Sequence, residues 1–183
     1  MKEGFIRARK QSITKEAILQ AAFEMTRAEG LTNVTARRLA DHAGCSTQPI
    51  FRVYSAMDEL YGEIYEMAIS YFSDYYANFK GVDQTPFVNL GLAYIQFAEK
   101  EPQLFQLLFM GEKRNGHSLI ELLNGNGALV KEIGKAGAKG SDIFMKMWMF
   151  IHGAACMVIT GDYDLTQEQT KQLLLESYRA YAG

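Results

Sequence analysis

The sequence predicts an all-α protein with a small head of three helices at the N-terminus and a larger helical body. Apolar residues recur at helical spacing along most of the 183 residues, whereas strand-like alternation lasts for only a few positions. The chain has only three prolines and many Ala, Leu, Met and Glu residues, which favour helices. Nearly half of the residues are apolar, which is enough for a sizeable core.

The first helix of the head is predicted to run from Thr14 to Gly30. The glycine permits the left-handed turn that often ends a helix. An apolar face at helical spacing is formed by Ala17, Ile18, Ala21, Ala22 and Met25.

Two shorter helices follow, separated by a tight turn. Thr35 is a suitable N-cap for the first, and Gly44 ends it after little more than two turns. Ser46 is predicted to cap the next helix, TQPIFRVY, in which Pro49 falls in the tolerant first turn. This pattern indicates a helix-turn-helix, whose second helix can enter the major groove of DNA. The residues expected to pack beneath it are Leu39, Ala40, Ala43, Ile50, Phe51 and Val53.

Charge is distributed unequally between the head and the body. Residues 1–54 carry nine Lys or Arg against five Asp or Glu, and residues 55–183 carry ten against sixteen. A basic head on an acidic body is typical of nucleic-acid binding, although chance variation on a soluble surface gives the same pattern. Arg7, Arg9 and Lys10 form either a basic arm that touches DNA or a solvated leader.

Other classes of protein find little support in the sequence. Cys45 and Cys156 are too few for a disulfide framework, and the N-terminus lacks a signal peptide's apolar core, which favours a cytoplasmic protein. Within the apolar segment 143–160, the uninterrupted apolar part between Lys146 and Gly161 is short for a membrane span and contains His152. We therefore expect a buried helix and no membrane partner.

Enzymatic chemistry is also not indicated. His42 and Cys45 alone do not make a zinc site, and an apolar helix is a poor place for His152 to activate the thiol of Cys156. No nucleophile elbow, phosphate-binding glycine loop or carboxylate pair is present. We therefore expect no catalytic residue, no metal site and no cofactor.

In the body, a long helix is predicted over 58–79, and two more begin at Thr85–Pro86 and Glu101–Pro102. Five glycines within 124–140 predict a broken helix or mobile connection. The last two helices are predicted over about 141–160 and 166–182. The apolar face of the first consists of Ile143, Met147, Ile151, Ala154, Ala155 and Val158, and that of the second of Leu173, Leu174, Leu175, Tyr178 and Tyr181.

Several linked motifs resemble the TetR family of transcriptional regulators. They are T-x-x-x-I-L-x-A-A from Thr14, A-E-G-L, T-A-R-R-L-A-x-x-A-G from Thr35, and C-S-T-Q-P-I-F-R-V-Y followed by x-x-M-D-E-L. In the body, W-x-x-x-H-G at Trp148 is similar to a motif of one group of TetR-family regulatory domains.

The resemblance implies a helix-turn-helix DNA-binding domain at 1–56 and an effector-binding and dimerisation domain at 57–183. It implies a homodimer that places its third helices in successive major grooves of a palindromic operator in double-stranded DNA, about 34–36 Å apart. The final two helices commonly pair across the dimer, and a small molecule, here expected to be largely apolar, moves the heads and usually releases DNA. The family often has Tyr at the position of Phe51 and Lys at that of Met57. Phe51 cannot make the hydroxyl contact to phosphate, and Met57 cannot replace the charge.

The candidate DNA-binding residues lie on the second and third helices. Gln48 can pair with an adenine, and Thr47 can offer either its hydroxyl or its methyl group to a base edge. Pro49 can place apolar surface against a thymine methyl group. The backbone N–H of Thr35 suits a phosphate at a helix N-terminus. The complete set is Thr35, Arg37, Arg38, Ser46, Thr47, Gln48, Pro49, Phe51 and Arg52.

The candidate effector residues are aromatic and flexible apolar side chains with one polar group, His152. They are Tyr65, Phe72, Tyr94, Phe97, Phe105, Phe109, Trp148, Met149 and His152; ordinary core packing is the alternative for each. The leading hypothesis is a repressor released from DNA by an effector. An activator, an effector-independent regulator and a protein-interaction module remain alternatives.

Overall fold

A computed structural model of the chain describes residues 13–111 and 137–182. Within these ranges all regular secondary structure is helical, which confirms the predicted fold class. Arg7, Arg9 and Lys10 lie outside the described residues. So does most of the glycine-rich stretch at 124–140, although a helix begins inside it at Gly137.

The head contains α1 (Lys15–Glu29), α2 (Ala36–His42) and α3 (Gln48–Val53). Thr14 caps α1 by accepting a hydrogen bond from Ala17 N at 3.2 Å. Gly30 ends it with a φ of 88°, and its N–H donates to Thr26 O at 2.8 Å. Both ends of α1 are therefore where the sequence places them.

The apolar face of α1 differs from the prediction at two positions. Ala17 is exposed, whereas Phe23 is buried and its ring lies 5.8 Å from that of Tyr71. The buried face of α1 includes Phe23 instead of Ala17 because the body packs against the side of the helix that carries Phe23. Ile18, Ala22 and Met25 are buried as predicted.

The start of α3 is one residue later than Ser46 would allow. Thr47 is the N-cap, and its carbonyl oxygen accepts from Ile50 N at 3.1 Å and Phe51 N at 3.2 Å. Its backbone already has helical angles, and its side chain makes no capping hydrogen bond. The prediction of Ser46 as N-cap is therefore wrong, while Pro49 does fall in the first turn.

The body begins with α4 (Met57–Ala77) and α5 (Pro86–Lys100). A short α6 (Pro102–Phe105) continues directly into a π-helical turn (Gln106–Met110). The final helices are α7 (Gly137–Thr160) and α8 (Gln167–Ala182). The predicted starts at Thr85–Pro86 and Glu101–Pro102 are confirmed.

Helix α5 is the centre of the body and packs against α4, α6, α7 and α8. Its residues are mostly buried between Phe87 and Ala98. Helix α7 turns Ile143, Met147 and Ile151 into this core. By length and composition, the stretch Gly140–Thr160 also qualifies as a membrane span. Its packing along α5 and α8 favours the interpretation as a core helix.

Gly91 allows α8 to approach α5 closely. A Cβ atom built on Gly91 would stand 2.8 and 2.9 Å from the two Cδ atoms of Leu174 and 3.1 Å from Cγ1 of Ile151. Both neighbours are fully buried, so they have little room to move aside.

We expect Gly91→Ala to lower the free energy of unfolding by about 1–3 kcal/mol, because the added methyl overpacks the helix contact. Urea denaturation at one protein concentration measures this loss. The variant Gly91→Ala/Leu174→Ala is the control, since truncating Leu174 makes room for the methyl group. The double variant should then lose less stability than the sum of the losses in Gly91→Ala and Leu174→Ala measured singly. Strict additivity would contradict the steric explanation.

Candidate nucleic-acid interface and aromatic cluster

The N-terminal end of α3 presents polar side chains to solvent. Ser46, Thr47 and Gln48 are exposed, Arg52 is exposed one turn further on, and Pro49 is half-buried. Ile50 points the opposite way and is fully buried beneath the helix. The burial of Ile50 therefore fixes which face of α3 is open to a ligand.

Phe51 lies on the open side of α3. Its side chain is 51% exposed, so the prediction that it packs with Leu39 and Ala40 is wrong. Residues three apart on a helix are neighbours, which places Phe51 next to Gln48. A large apolar ring therefore stands beside the polar residues of the candidate interface.

Helix α2 contributes exposed residues beside this surface. Thr35 caps α2 by accepting from Arg38 N at 3.3 Å, and Arg37 is exposed. The guanidinium of Arg38 forms an ion pair with Glu29 and donates to Asn33 Oδ1 at 2.9 Å. Arg38 thus ties α2 to the end of α1, whereas Arg37 extends into solvent.

The start of α4 holds the head from below. The buried Tyr54 donates its hydroxyl hydrogen to Glu63 Oε2 at 2.9 Å, and Tyr61 donates to Val34 O at 2.7 Å. Burial, together with the Glu63 carboxylate, raises the pKa of the Tyr54 hydroxyl well above its usual value, so it stays a donor. Met57 is half-buried and packs against the core, consistent with its lack of charge.

A group of rings fills the body between α4, α5, α6 and α7. We call it the aromatic cluster and define it as Phe72, Tyr94, Phe97, Phe105, Phe109, Trp148 and His152. Tyr94 is central, since its ring centroid lies 4.8 Å from those of Phe109 and Trp148 and 5.1 Å from that of Phe105. Tyr65 is also buried, two turns before Phe72 on α4.

The two residues of the W-x-x-x-H-G motif that carry rings stack on each other. The rings of Trp148 and His152 are 5.6 Å apart at 17°, and His152 Nδ1 lies 3.0 Å from the Tyr94 hydroxyl. His152 is therefore a polar group within the aromatic cluster, as the sequence predicts.

Met149 does not belong with these residues. It lies on the outer side of α7 and is 61% exposed, so it does not share a lining with the buried Trp148, and its effector contact stays a prediction. Consecutive residues on a helix point in different directions, and the sequence alone did not show which of the two faces inward.

Two surface cavities of the body are lined by residues outside the candidate effector set. One of about 590 Å³ is bordered mainly by the ends of α4 and α5, including Tyr75 and Lys100. Another of about 490 Å³ lies between α5 and the α7–α8 connection, and both touch Gln96 and Gln167. None of the candidate effector residues borders either cavity, so their role stays a prediction.

Comparison with known proteins identifies the family of the chain. The family model described as "Tetracyclin repressor-like, C-terminal domain" matches residues 87–181, which is more than half of the chain. The chain belongs to the TetR family of transcriptional regulators. Family membership makes it a DNA-binding regulator of transcription. No protein of curated function matches it.

Solved structures of TetR regulators share the fold over nearly the whole chain. A TetR family transcription regulator from Marinobacter aquaeolei VT8 has a TM-score of 0.62 and 12% identity, covering 90% of this chain and 93% of its own. A TetR-like transcriptional regulator from Rhodococcus sp. RHA1 has a TM-score of 0.57 and 16% identity, covering 91% and 94%. At such identities the likeness establishes the fold.

The structure of this TetR protein gives no sign of an activated thiol. Cys156 Sγ lies 3.6 Å from His152 Nε2, but burial raises the pKa of the thiol. The reactive form of cysteine is the thiolate, so this shift works against nucleophilic chemistry. Among residues 13–111 and 137–182, no three His, Cys, Asp or Glu side chains are grouped to hold a metal ion.

The sequence did not reveal one polar contact between the TetR head and its body. Arg27 at the end of α1 binds Glu101 at the start of α6, although the two are 74 positions apart. The local signal was a carboxylate directly before Pro102, in a short polar stretch between two apolar segments. Nothing in the sequence pattern indicated its partner.

Proposed function

We propose that this TetR-family regulator is a homodimeric repressor that leaves a palindromic operator when a small, largely apolar molecule binds. The observation that carries the proposal is the exposed face at the N-terminal end of α3. There Thr47 and Gln48, with Arg52 one turn further on, point away from a head that hydrogen bonds join to α4. Such an end is suited to reading base edges in the major groove.

The residues of the interface divide between bases and phosphates. Gln48 is suited to a paired contact with adenine, and Ser46 and Thr47 flank it. Phe51 and Pro49 offer apolar surface to thymine methyl groups. Exposed Arg37 and Arg52 supply phosphate contacts, as does the N-terminus of α2 at Thr35. Arg38 acts mainly by orienting α2, because Glu29 and Asn33 already hold its guanidinium.

The dimer forms through the outer faces of α7 and α8. Met145, Met149 and Met157 follow one another along the exposed side of α7, with Gly153 between them, and Leu173 is exposed on α8. Nothing lies within 4 Å of a Cβ atom built on Gly153, so a partner helix can approach there. Exposed apolar rows of this kind are typical of protein interfaces.

The effector binds at the aromatic cluster, next to Tyr65. Its rings supply apolar surface, and His152 with the Tyr94 hydroxyl supplies polar groups that select among ligands. The effector releases DNA by binding more tightly to the arrangement of heads that does not fit the operator. We place the head at 1–56 and the body at 57–183, and the protein in the cytoplasm.

The proposal is tested by selecting binding sites from a random pool of DNA duplexes with the purified protein. We expect an inverted repeat whose half-sites are spaced for a two-fold dimer. The variant Gln48→Ala/Arg52→Ala is a matched control that changes only exposed residues of α3, and it should not enrich the same repeat. Failure of the folded wild-type protein to enrich any motif at low salt would contradict DNA reading and favour an acidic protein partner for the head.

A further inference from the structure

Arg27 and Glu101 form a two-point contact between the head and the body. Arg27 Nε donates to Glu101 Oε2 at 2.6 Å, and Nη2 donates to Oε1. The hydroxyl of Tyr71 on α4 also donates to Glu101 Oε1, at 2.8 Å. The Glu101 side chain is only 7% exposed. A buried carboxylate with three donors is strongly oriented, because losing one donor leaves it poorly solvated.

This contact joins the end of α1 to the start of α6. Arg27 is in the last turn of α1, and its guanidinium lies 5.1 Å from the centre of the Tyr71 ring. Two residues beyond Glu101, Gln103 approaches Gly30, where a Cβ atom would stand 2.7 Å from the Gln103 amide oxygen. The head therefore rests directly on the residues that begin α6.

The same short segment reaches the aromatic cluster at its other end. Phe105 lies at the end of α6, and Phe109 in the π-helical turn packs 5.1 Å from Phe72 and 4.8 Å from Tyr94. A π-helical turn inside a helix is uncommon and often occurs at functional sites. A return of this turn to α-helical geometry would reorient Phe109 against Phe72 and Tyr94.

We propose that Arg27, Glu101 and Tyr71 are positioning residues that couple ligand binding at the aromatic cluster to DNA binding at the head. The inference rests on the proposed function, since it assigns the route by which ligand and operator influence one another. Such coupling is reciprocal: if a ligand at the aromatic cluster changes DNA affinity, DNA at the head must change the cluster. The second half of this statement is measurable without knowing the effector.

Trp148 makes the measurement direct. It is the only tryptophan in the chain and belongs to the aromatic cluster, packed against Tyr94. We expect its fluorescence emission to shift when the full-length protein binds a duplex recovered from the random pool. Arg27→Gln and Glu101→Gln should each lose at least half of that shift while retaining binding to the duplex. The double variant should lose no more than either single one, because both remove the same contact.

Tyr61→Phe is the matched control. It removes the hydrogen bond to Val34 O, which also joins α4 to the head but involves no residue of α6 or the π-helical turn. It should keep the wild-type emission shift, and Arg27→Lys, which keeps the charge, should restore part of it. Circular dichroism establishes that each variant is folded.

The outcomes separate the two proposals. If the wild-type protein enriches no duplex, the proposed function fails and the coupling fails with it. If it binds a duplex but Trp148 emission does not change, or folded Arg27→Gln and Glu101→Gln keep the full shift, the coupling is wrong and DNA reading stands. Equal loss in Tyr61→Phe would also overturn the coupling, because it would show a general loosening of the head.

Discussion

Replacing Phe72 by alanine is expected to lower the free energy of unfolding by about 3–5 kcal/mol. The Phe72 ring is buried, and its centroid lies 4.9 Å from that of Phe97, 5.1 Å from that of Phe109 and 6.2 Å from that of Tyr94. These neighbours come from α5 and the π-helical turn, so no single side chain can fill the space that is left. Chemical denaturation followed by circular dichroism measures the loss.

The control for Phe72→Ala is Asp74→Ala on the exposed side of the same helix. Alanine favours helix at both positions, so the difference between the variants isolates the loss of packing. We expect Asp74→Ala to change the free energy of unfolding by no more than about 0.5 kcal/mol. All measurements use one protein concentration, because the dimer that we propose would make apparent stability depend on it. Equal losses in the two variants would show that the aromatic cluster is not a tightly packed part of the core.

Replacing Gln48 by alanine is expected to weaken discrimination at one base pair of each half-site by about 1–3 kcal/mol. Gln48 is exposed in the first turn of α3, and its amide can pair with adenine in the major groove. The measurement compares dissociation constants for the selected operator and for operators changed at single positions, at fixed salt. The wild-type protein should distinguish the base pair that the variant no longer distinguishes.

Arg37→Ala serves as the contrasting variant for Gln48→Ala. Arg37 is exposed on α2, and we expect it to contact phosphate, so its loss should weaken binding to all operators alike. It should also reduce the slope of log affinity against log salt by about 1 for each half-site, or about 2 for the two-fold operator. A uniform loss for Gln48→Ala would instead assign Gln48 to phosphate contact.

Local signals in the sequence located most helix ends. Thr14, Thr35 and the Thr85–Pro86 pair begin helices where predicted, because caps and prolines act on the backbone within one turn. Ser46 and Thr47 show the resolution of such signals, since either can precede α3 and only the backbone hydrogen bonds, which begin at Thr47 O, distinguish them. Local chemistry therefore predicted the order of helices but not each first residue.

Orientation and distant partners were harder to predict. Phe51 and Met149 are apolar residues at helical spacing, yet both are exposed, because spacing alone does not say which side of a helix meets the core. Met149 lies on the surface where we propose that a second subunit binds. In the sequence, an apolar row that faces a second subunit has the same pattern as one that faces the core of its own chain. The pairing of Arg27 with Glu101 depends on the packing of α1 against α6, which no local pattern specifies.

The absence of a side chain at Gly91 also has a consequence for the spacing of DNA half-sites in the dimer that we propose. Leu174 of α8 rests against Gly91, and α8 carries part of the surface that we assign to the dimer. In that dimer, the thickness of the α5–α8 contact contributes to the separation of the two α3 helices. A side chain at position 91 would thicken each subunit and move both heads. In the dimer that we propose, one glycine in the middle of the body would thus help to set the spacing between the half-sites.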